Sequence, residues 1–407
     1  MTDEQVRLIE NLNAAFTPSS PIQMKDFFFG RIEQLLRVVE AIKEIGQHII
    51  LYGERGVGKT SLANIVGSSI TNIVIERTTC NRDDSFKSIW DRLLEGCLIS
   101  YETKRIGFTE ETNTEQVDLR AFIPKKAKLS PSSVFKALKY FASLTPFPIL
   151  FLLDEYDRVS DLQTKSQMAD LMKSISDSLP SVTIMIVGVS ESVNDLIGEH
   201  ESLQRCIKQI LLPKMSDAEL LLIIENGLKL IGVSINPSVE HQILQLSQGY
   251  PHYTHLLTKY AAKAAILNGE AQISSIHFDK ALDEAILNAN ESIRNLFQKA
   301  VITTKGTTTF EDVVYASSIV RLDEHSTFRA KDLESPLNRI TNRLIVLQSY
   351  IYHLGKLCQE ERGKIYIKIG RPKQSRYRFR DPMLKAYALL KLKKKGIGEN
   401  ASAQPFL

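Results

Sequence analysis

The sequence predicts an α/β fold: a parallel sheet covered by helices, followed by an all-helical region and then by three helices and a two-stranded ribbon. Three observations predict it. Short apolar β-rich runs alternate with amphipathic stretches through the first half of the chain. A glycine-rich loop ending in Lys59-Thr60 lies between one such run and a helix. After Ser216 the helical period takes over, and the chain closes on a basic, aromatic-studded ribbon.

Residues 1–26 form a lead-in that starts MTDEQVRLIENLN, without the basic and continuously apolar regions of a secretory signal. Strand-like runs follow at His48–Tyr52, Asn72–Glu76, Ile149–Leu153 and Val182–Val187, with helical stretches at Glu33–Ile45, Ser61–Ser69 and Ser85–Cys97. That order predicts parallel strands with helices on their faces. Residues 102–132 are polar and read as an exposed insertion with no legible role. Helices are expected at Asp217–Gly227, Ser238–Ser247 and Tyr253–Leu267.

Beyond Asn290 the expected helices are Phe310–Val320, Ala330–Ile340 and Leu347–Glu361, followed by strands Lys364–Ile369 and Arg376–Arg380. Asp381-Pro382 opens a last helix, with proline in its first turn. This is the order of a winged helix. The expected division is a lead-in (1–26), an α/β core (27–213), an all-helical lid (214–290), a winged-helix domain (291–395) and a disordered tail (396–407).

Composition narrows the function classes. The 407 residues are 43% hydrophobic and 24% charged, ordinary globular usage that excludes a largely disordered or collagen-like chain. No apolar run reaches the roughly 18–20 residues a bilayer span needs, so no membrane partner and a cytoplasmic location are expected. The four cysteines are scattered with no Cys-x-x-Cys, which argues against a disulfide framework or zinc site. His252 and His255 lack acidic or thiol companions and read as ordinary polar positions. Residues 291–407 hold 22 Lys+Arg against 11 Asp+Glu, although the whole chain carries only +4, so the C-terminal end is built for anions.

The strongest motif is Gly53-Glu-Arg-Gly56-Val-Gly58-Lys59-Thr60-Ser61, in the strand–loop–helix setting that a phosphate loop requires. Its glycines let backbone N–H groups converge on phosphate oxygens, and the helix that follows offers its unpaired amides to the same anion. Lys59 would reach the β- and γ-phosphates and Thr60 would ligate Mg²⁺. About 95 residues later Ile149–Leu153 runs into Asp154-Glu155. Asp154 would hold the Mg²⁺ shell, and Glu155 would orient or deprotonate the attacking water.

At these residues the chain resembles the AAA+ ATPases, specifically the branch shared by origin-recognition initiators and STAND signalling ATPases. Phe28-Phe29-Gly30-Arg31-Ile32-Glu33 resembles the box that abuts the adenine, Gly53–Thr60 resembles Walker A and Leu150–Glu155 resembles Walker B. Val182–Ser190 is similar to the strand carrying sensor 1, which implies Ser190 near the γ-phosphate. His200–Arg205 resembles the region that supplies an arginine to a neighbouring subunit's nucleotide, which implies Arg205 in trans and a homo-oligomer. Gly249-Tyr250-Pro251 departs from the initiators' sensor 2 arginine and resembles the STAND pattern, in which Pro251 packs on the adenine. The resemblance implies a P-loop NTPase core, ATP as the nucleotide, a prokaryotic source, and a slow turnover suited to a switch.

Between Lys364 and Lys395 there are 12 Lys+Arg and one acid, Asp381. Arg371, Lys373, Arg376 and Arg378 occupy the expected wing, with Arg376, Arg378 and Arg380 on one strand face and Tyr377 and Phe379 on the other. Two readings follow. In one, nucleotide state controls assembly and duplex-DNA binding through the basic wing. In the other, the chain is a nucleotide-gated switch for a separate effector protein, for instance in anti-phage defence or transposition control.

Overall fold

The computed structural model describes residues 1–18, 20–22, 28–104, 112–123, 129–189, 201–289, 291–302, 309–323, 326–370 and 375–396. The chain divides into two compact units: residues 20–215, and residues 1–19 together with 216–407. Helix α1 (Asp3–Ala15) belongs to the second.

The first unit is a five-stranded, wholly parallel sheet in the order β2-β5-β6-β1-β7. In chain order its elements are α2 (Ile32–Lys43), β1 (His48–Gly53), α3 (Lys59–Ser69), β2 (Val74–Thr79), α4 (Phe86–Gly96), β3 (Leu98–Lys104), β4 (Thr112–Asp118), α5 (Pro131–Leu144), β5 (Ile149–Asp154), α6 (Leu162–Ser178), β6 (Val182–Val189) and β7 (Ile207–Leu211). Strand β5 is buried along its whole length, as its continuous Ile-Leu-Phe-Leu-Leu run requires of a central strand. Trp90 of α4, fully buried, packs edge-on against Phe151 of β5 with centroids 5.3 Å apart.

Three details differ from the sequence reading. Strand β2 begins at Val74 and runs to Thr79, because Asn72 takes a left-handed conformation (φ 61°) and turns the chain there. Strand β7 was not read as a strand: Ile-Lys-Gln-Ile-Leu is only partly apolar, as suits an edge. The stretch 102–132 is not a plain insertion loop. Its first part completes an antiparallel β3–β4 hairpin, and Leu119 and Ile123 just beyond it are buried. Arg120 ties that turn to Asp91 of α4 at 2.5 Å.

The second unit begins with α1, whose N-terminus is closed by a reciprocal Thr2–Gln5 capping box. It continues with α7 (Asp217–Lys229), β8 (Ser234–Ile235), α8 (Pro237–Ser247), α9 (Pro251–Asn268), β9 (Gln272–Ile273) and α10 (Ser275–Leu287). Gln5 Nε2 donates to the Ile266 carbonyl at 3.0 Å. Phe16 lies edge-on to His255 and directly over Gly227, where a Cβ would come within 2.3 Å of its ring. The first part of the lead-in, through Phe16, is therefore part of the helical bundle.

Next come α11 (Glu291–Val301), α12 (Thr309–Ile319), β10 (Phe328–Arg329), α13 (Glu334–Thr341), α14 (Leu347–Lys356), β11 (Tyr366–Ile369), β12 (Arg376–Phe379) and α15 (Pro382–Lys394). The three strands form an antiparallel sheet in the order β10-β12-β11. Sequence reading missed β10, which is only two residues long, and extended α14 to Glu361, whereas the helix ends at Lys356 and a short 3₁₀ turn follows. Asp381 caps α15 by accepting from Met383 N at 2.9 Å. The expected disordered tail, apart from Gly396, lies outside the described residues. No helix among the described residues is long and apolar enough to cross a membrane.

Candidate phosphate-binding site

Strand β1 delivers the chain to Gly53 at the carboxyl end of the parallel sheet, where ligands of open α/β sheets bind. Gly53 (φ 150°) admits no side chain, because a Cβ would lie 2.3 Å from the Leu212 carbonyl oxygen. Gly56 and Gly58 have φ of 85° and 96°, a conformation that L side chains rarely adopt, so the loop's amides curl towards one point. Helix α3 starts at Lys59, and Thr60 and Ser61 form the rest of its first turn.

Lys59 is buried, and its ammonium donates to the loop's own carbonyls, Gly53 at 3.0 Å and Glu54 at 2.7 Å. Burial lowers its pKa to about 8, while the charges of Asp157 and Asp154 oppose the shift. These are weak partners for a buried cation, and a bound polyphosphate would replace them with anionic ones.

Asp154 ends β5 and is buried. Asp154 Oδ1 accepts from Glu155 N at 2.9 Å. Burial raises the Asp154 pKa, against the hydrogen bonds from Glu155 and Thr60. A hydroxyl in the phosphate loop and a carboxylate at the end of the buried strand are the oxygen ligands that a small, hard cation such as Mg²⁺ takes. Glu155 is left-handed (φ 53°), a strain of about 1–2 kcal/mol for a non-glycine residue. Its carboxylate pairs with Arg158 at 2.7 Å.

Asp157 is a third acid in this turn, and the sequence reading passed over it. Its Oδ1 accepts from Val189 N, at the end of β6, at 2.8 Å. Its place three residues after Asp154 marks it as a nearby acid, but does not reveal the contact with β6. Ser190 lies outside the described residues.

Arg31 is buried and left-handed (φ 58°), and its guanidinium donates to the Pro213 carbonyl, joining the start of α2 to the segment after β7. Arg205 is exposed and pairs with Asp177 of the same chain at 2.8 Å. Pro251 lies in the second unit, at the first position of α9, after a turn that uses left-handed Gln248 and Gly249. His252 Nδ1 meets the Pro18 carbonyl at 2.7 Å and His255 is buried, and no metal-binding group of His, Cys, Asp or Glu occurs among the described residues.

At the basic end, Arg371 and Lys373 lie outside the described residues. Tyr377 and Phe379 are buried and Arg376 and Arg378 take the opposite strand face, as alternation predicts. One correction is needed: Arg376 is not a freely displayed cation, since it pairs with Asp323 at 2.5 Å and donates to Thr327 Oγ1 at 2.7 Å. Lys385, Lys394 and Lys395 likewise meet Gln248, Asp283 and Glu311. Part of the basic run therefore holds the unit together.

The family described as Novel STAND NTPase 1 matches residues 15–349. Among solved structures, a Walker-type ATPase of Pyrococcus abyssi is 15% identical, covers 91% of this chain and 98% of its own, and superposes with a TM-score of 0.54. The ORC2 protein of Aeropyrum pernix is 13% identical over 96% of this chain and 98% of its own, with a TM-score of 0.49. No curated protein matches the sequence. The first likeness is one of fold, and the fold is that of the P-loop NTPases. With the family matching most of its length, the chain belongs to the Novel STAND NTPase 1 family.

Proposed function

We propose that this protein binds ATP with Mg²⁺ and hydrolyses it slowly, and that its nucleotide state controls self-assembly and the grip of its C-terminal end on duplex DNA. The observation that carries the reading is the phosphate loop at the carboxyl end of the parallel sheet, where Gly56 and Gly58 are left-handed and Lys59 is buried against the loop's own carbonyls. Gly53, Gly56, Gly58, Lys59 and Ser61 hold the phosphates; Thr60 and Asp154 hold the metal; Glu155 orients or deprotonates the water. Ser190 contacts the γ-phosphate, Arg31 and Pro251 border the adenine, and Arg205 acts on a neighbouring subunit's nucleotide. The working division is core 27–213, lid 214–290, winged helix 291–395 and tail 396–407. Turnover is slow because Gly249-Tyr250-Pro251 stands where a sensor 2 arginine would neutralise the γ-phosphate.

The deciding experiment is nucleotide binding by Lys59→Ala. A loss of at least about 100-fold in ATP affinity is expected; unchanged affinity overturns the assignment.

One observation favours the second reading, a switch acting on an effector protein. Helix α14, the third helix of the winged-helix order, exposes Ile351 and Tyr352, and Leu344 and Val346 are exposed just before it. Residues 335–359 contain no acid and only Arg339, Arg343 and Lys356 as Lys or Arg. Such a surface suits a protein partner better than base edges. ATP turnover titrated with duplex DNA separates the readings: stimulation that high salt abolishes supports DNA, and indifference supports the effector.

A further inference from the structure

The small sheet of the second unit has two unlike faces. On the inner face Phe328, Tyr366, Tyr377 and Phe379 interlock, with ring centroids of successive pairs 5.0–5.9 Å apart. Cross-strand partners share a face, and successive residues alternate between faces. The register pairs Phe328 with Tyr377 and Arg329 with Arg376 across β10 and β12, and Ile367 with Arg378 across β11 and β12. Arg329, Arg376 and Arg378 therefore share the outer face.

That arrangement is costly in isolation, because like charges directly opposite on neighbouring strands repel. Asp323 offsets Arg376, while Arg329, on the short edge strand, is exposed. Arg329 and Arg378 are diagonal neighbours across β10 and β12, about 7–8 Å apart, comparable to the step between successive phosphates of a nucleic-acid strand. Guanidinium groups in a planar array favour bidentate contact with phosphate oxygens. Helix α14 carries no cation before Lys356, so it offers little to the backbone.

We propose that the outer face of this sheet is a phosphate-backbone site for nucleic acid, with Arg329 as a ligand that the wing alone does not supply. The proposal rests on the DNA reading above and adds to it where the strand is held. Contact of these guanidiniums with phosphate oxygens is sequence-independent, because the backbone is the same under every base. The geometry puts the strand across β10 and β12, so removing Arg329 has the same kind of effect as removing Arg378.

The test measures binding of the full-length protein to a labelled 20-base-pair duplex and to the matching single strand, by fluorescence anisotropy across a salt series. Arg329→Gln and Arg378→Gln are each expected to weaken binding of the preferred probe about 3- to 10-fold, and to lower the slope of log affinity against log salt by about one. Arg329→Lys should restore the slope. Thermal midpoints within a few degrees of wild type show that the variants fold. If Arg329→Gln binds like wild type while Arg378→Gln is impaired, the inference fails and the DNA reading stands. If wild type binds neither probe, the DNA reading itself fails and the arginine face serves an acidic protein.

Discussion

Oε2 of Glu155 lies 2.7 Å from Nη1 of Arg158, one short turn further along the chain. Both side chains are about half exposed. The carboxylate assigned to the attacking water is thus already the acceptor of a guanidinium, and it is held there by a left-handed backbone. Solvent screens an ion pair this exposed, so the restraint is mild. Arg158→Ala should raise basal ATP turnover by up to about 5-fold with KM unchanged. The gain should vanish when Glu155→Gln is added. Steady-state hydrolysis by the single and double variants checks this, and an unchanged or lower rate in Arg158→Ala removes the restraint from the account.

Gly227 is a packing requirement. An added methyl would sit 2.3 Å from Cζ of Phe16, in a bundle where Phe16 is wholly buried. Gly227→Ala should destabilise the second unit by about 1–3 kcal/mol through overpacking. Adding Phe16→Leu should recover part of the loss. Thermal unfolding of both variants measures it.

Asp84 anchors the start of α4. It accepts from both terminal nitrogens of Arg92 at 2.8 Å, from Asn81 N at 2.7 Å and from Ser88 Oγ at 2.8 Å. The Arg92 hydrogen bond leads in holding its pKa down to about 2, against the effect of burial. Asp84→Asn keeps the size and loses the charge, and should cost about 1–3 kcal/mol in a denaturant melt. The folded-state value lies below the unfolded one, so this contribution is present above about pH 4 and fades as pH falls towards 2.

Acid should also act through one buried histidine in each unit. His48 Nδ1 accepts from Ile184 N at 3.0 Å and its Nε2 faces the Met172 carbonyl at 2.7 Å, which leaves no room for a second proton. Both ring nitrogens of His255 lack hydrogen-bond partners. Burial lowers each pKa from 6.5 to about 4. The unfolded chain then binds more protons, and stability is lost as pH drops from about 6.5 to 4, by roughly 3 kcal/mol per histidine. Calorimetry at pH 7.5 and pH 5 should show both units melting lower in acid. His48→Gln should flatten that response in the first unit only.

The phosphate loop and the buried strand ending in Asp154 were legible because each is a local pattern with a fixed setting. Gly53–Thr60 needs only its own backbone, and β5 declares itself by five consecutive apolar residues. The edge strands were harder to read. Strand β7 mixes Lys208 and Gln209 with its apolar residues, and β10 is two residues long and exists only through its pairing with β12. The same limit explains Arg329 and Asp157. Nothing near either in the sequence reveals that one faces Arg376 across a ladder and the other reaches the end of β6. The pairing of Arg376 with Asp323, 53 positions earlier, is equally non-local.

Helix α1 rests on residues that the ribosome makes much later. The contact of Gln5 with Ile266, and those of Phe16 just after the helix with Gly227 and His255, close a loop of more than two hundred residues, and the whole first unit lies within that stretch of sequence. At the ordinary pace of translation, about 5–20 residues per second, the apolar side chains Leu12, Ala15 and Phe16 wait roughly 10–50 seconds for their seat. Through that interval the nascent chain carries these three apolar side chains with nothing to cover them. Its production in cells should therefore depend on chaperone capacity more than its folded stability suggests.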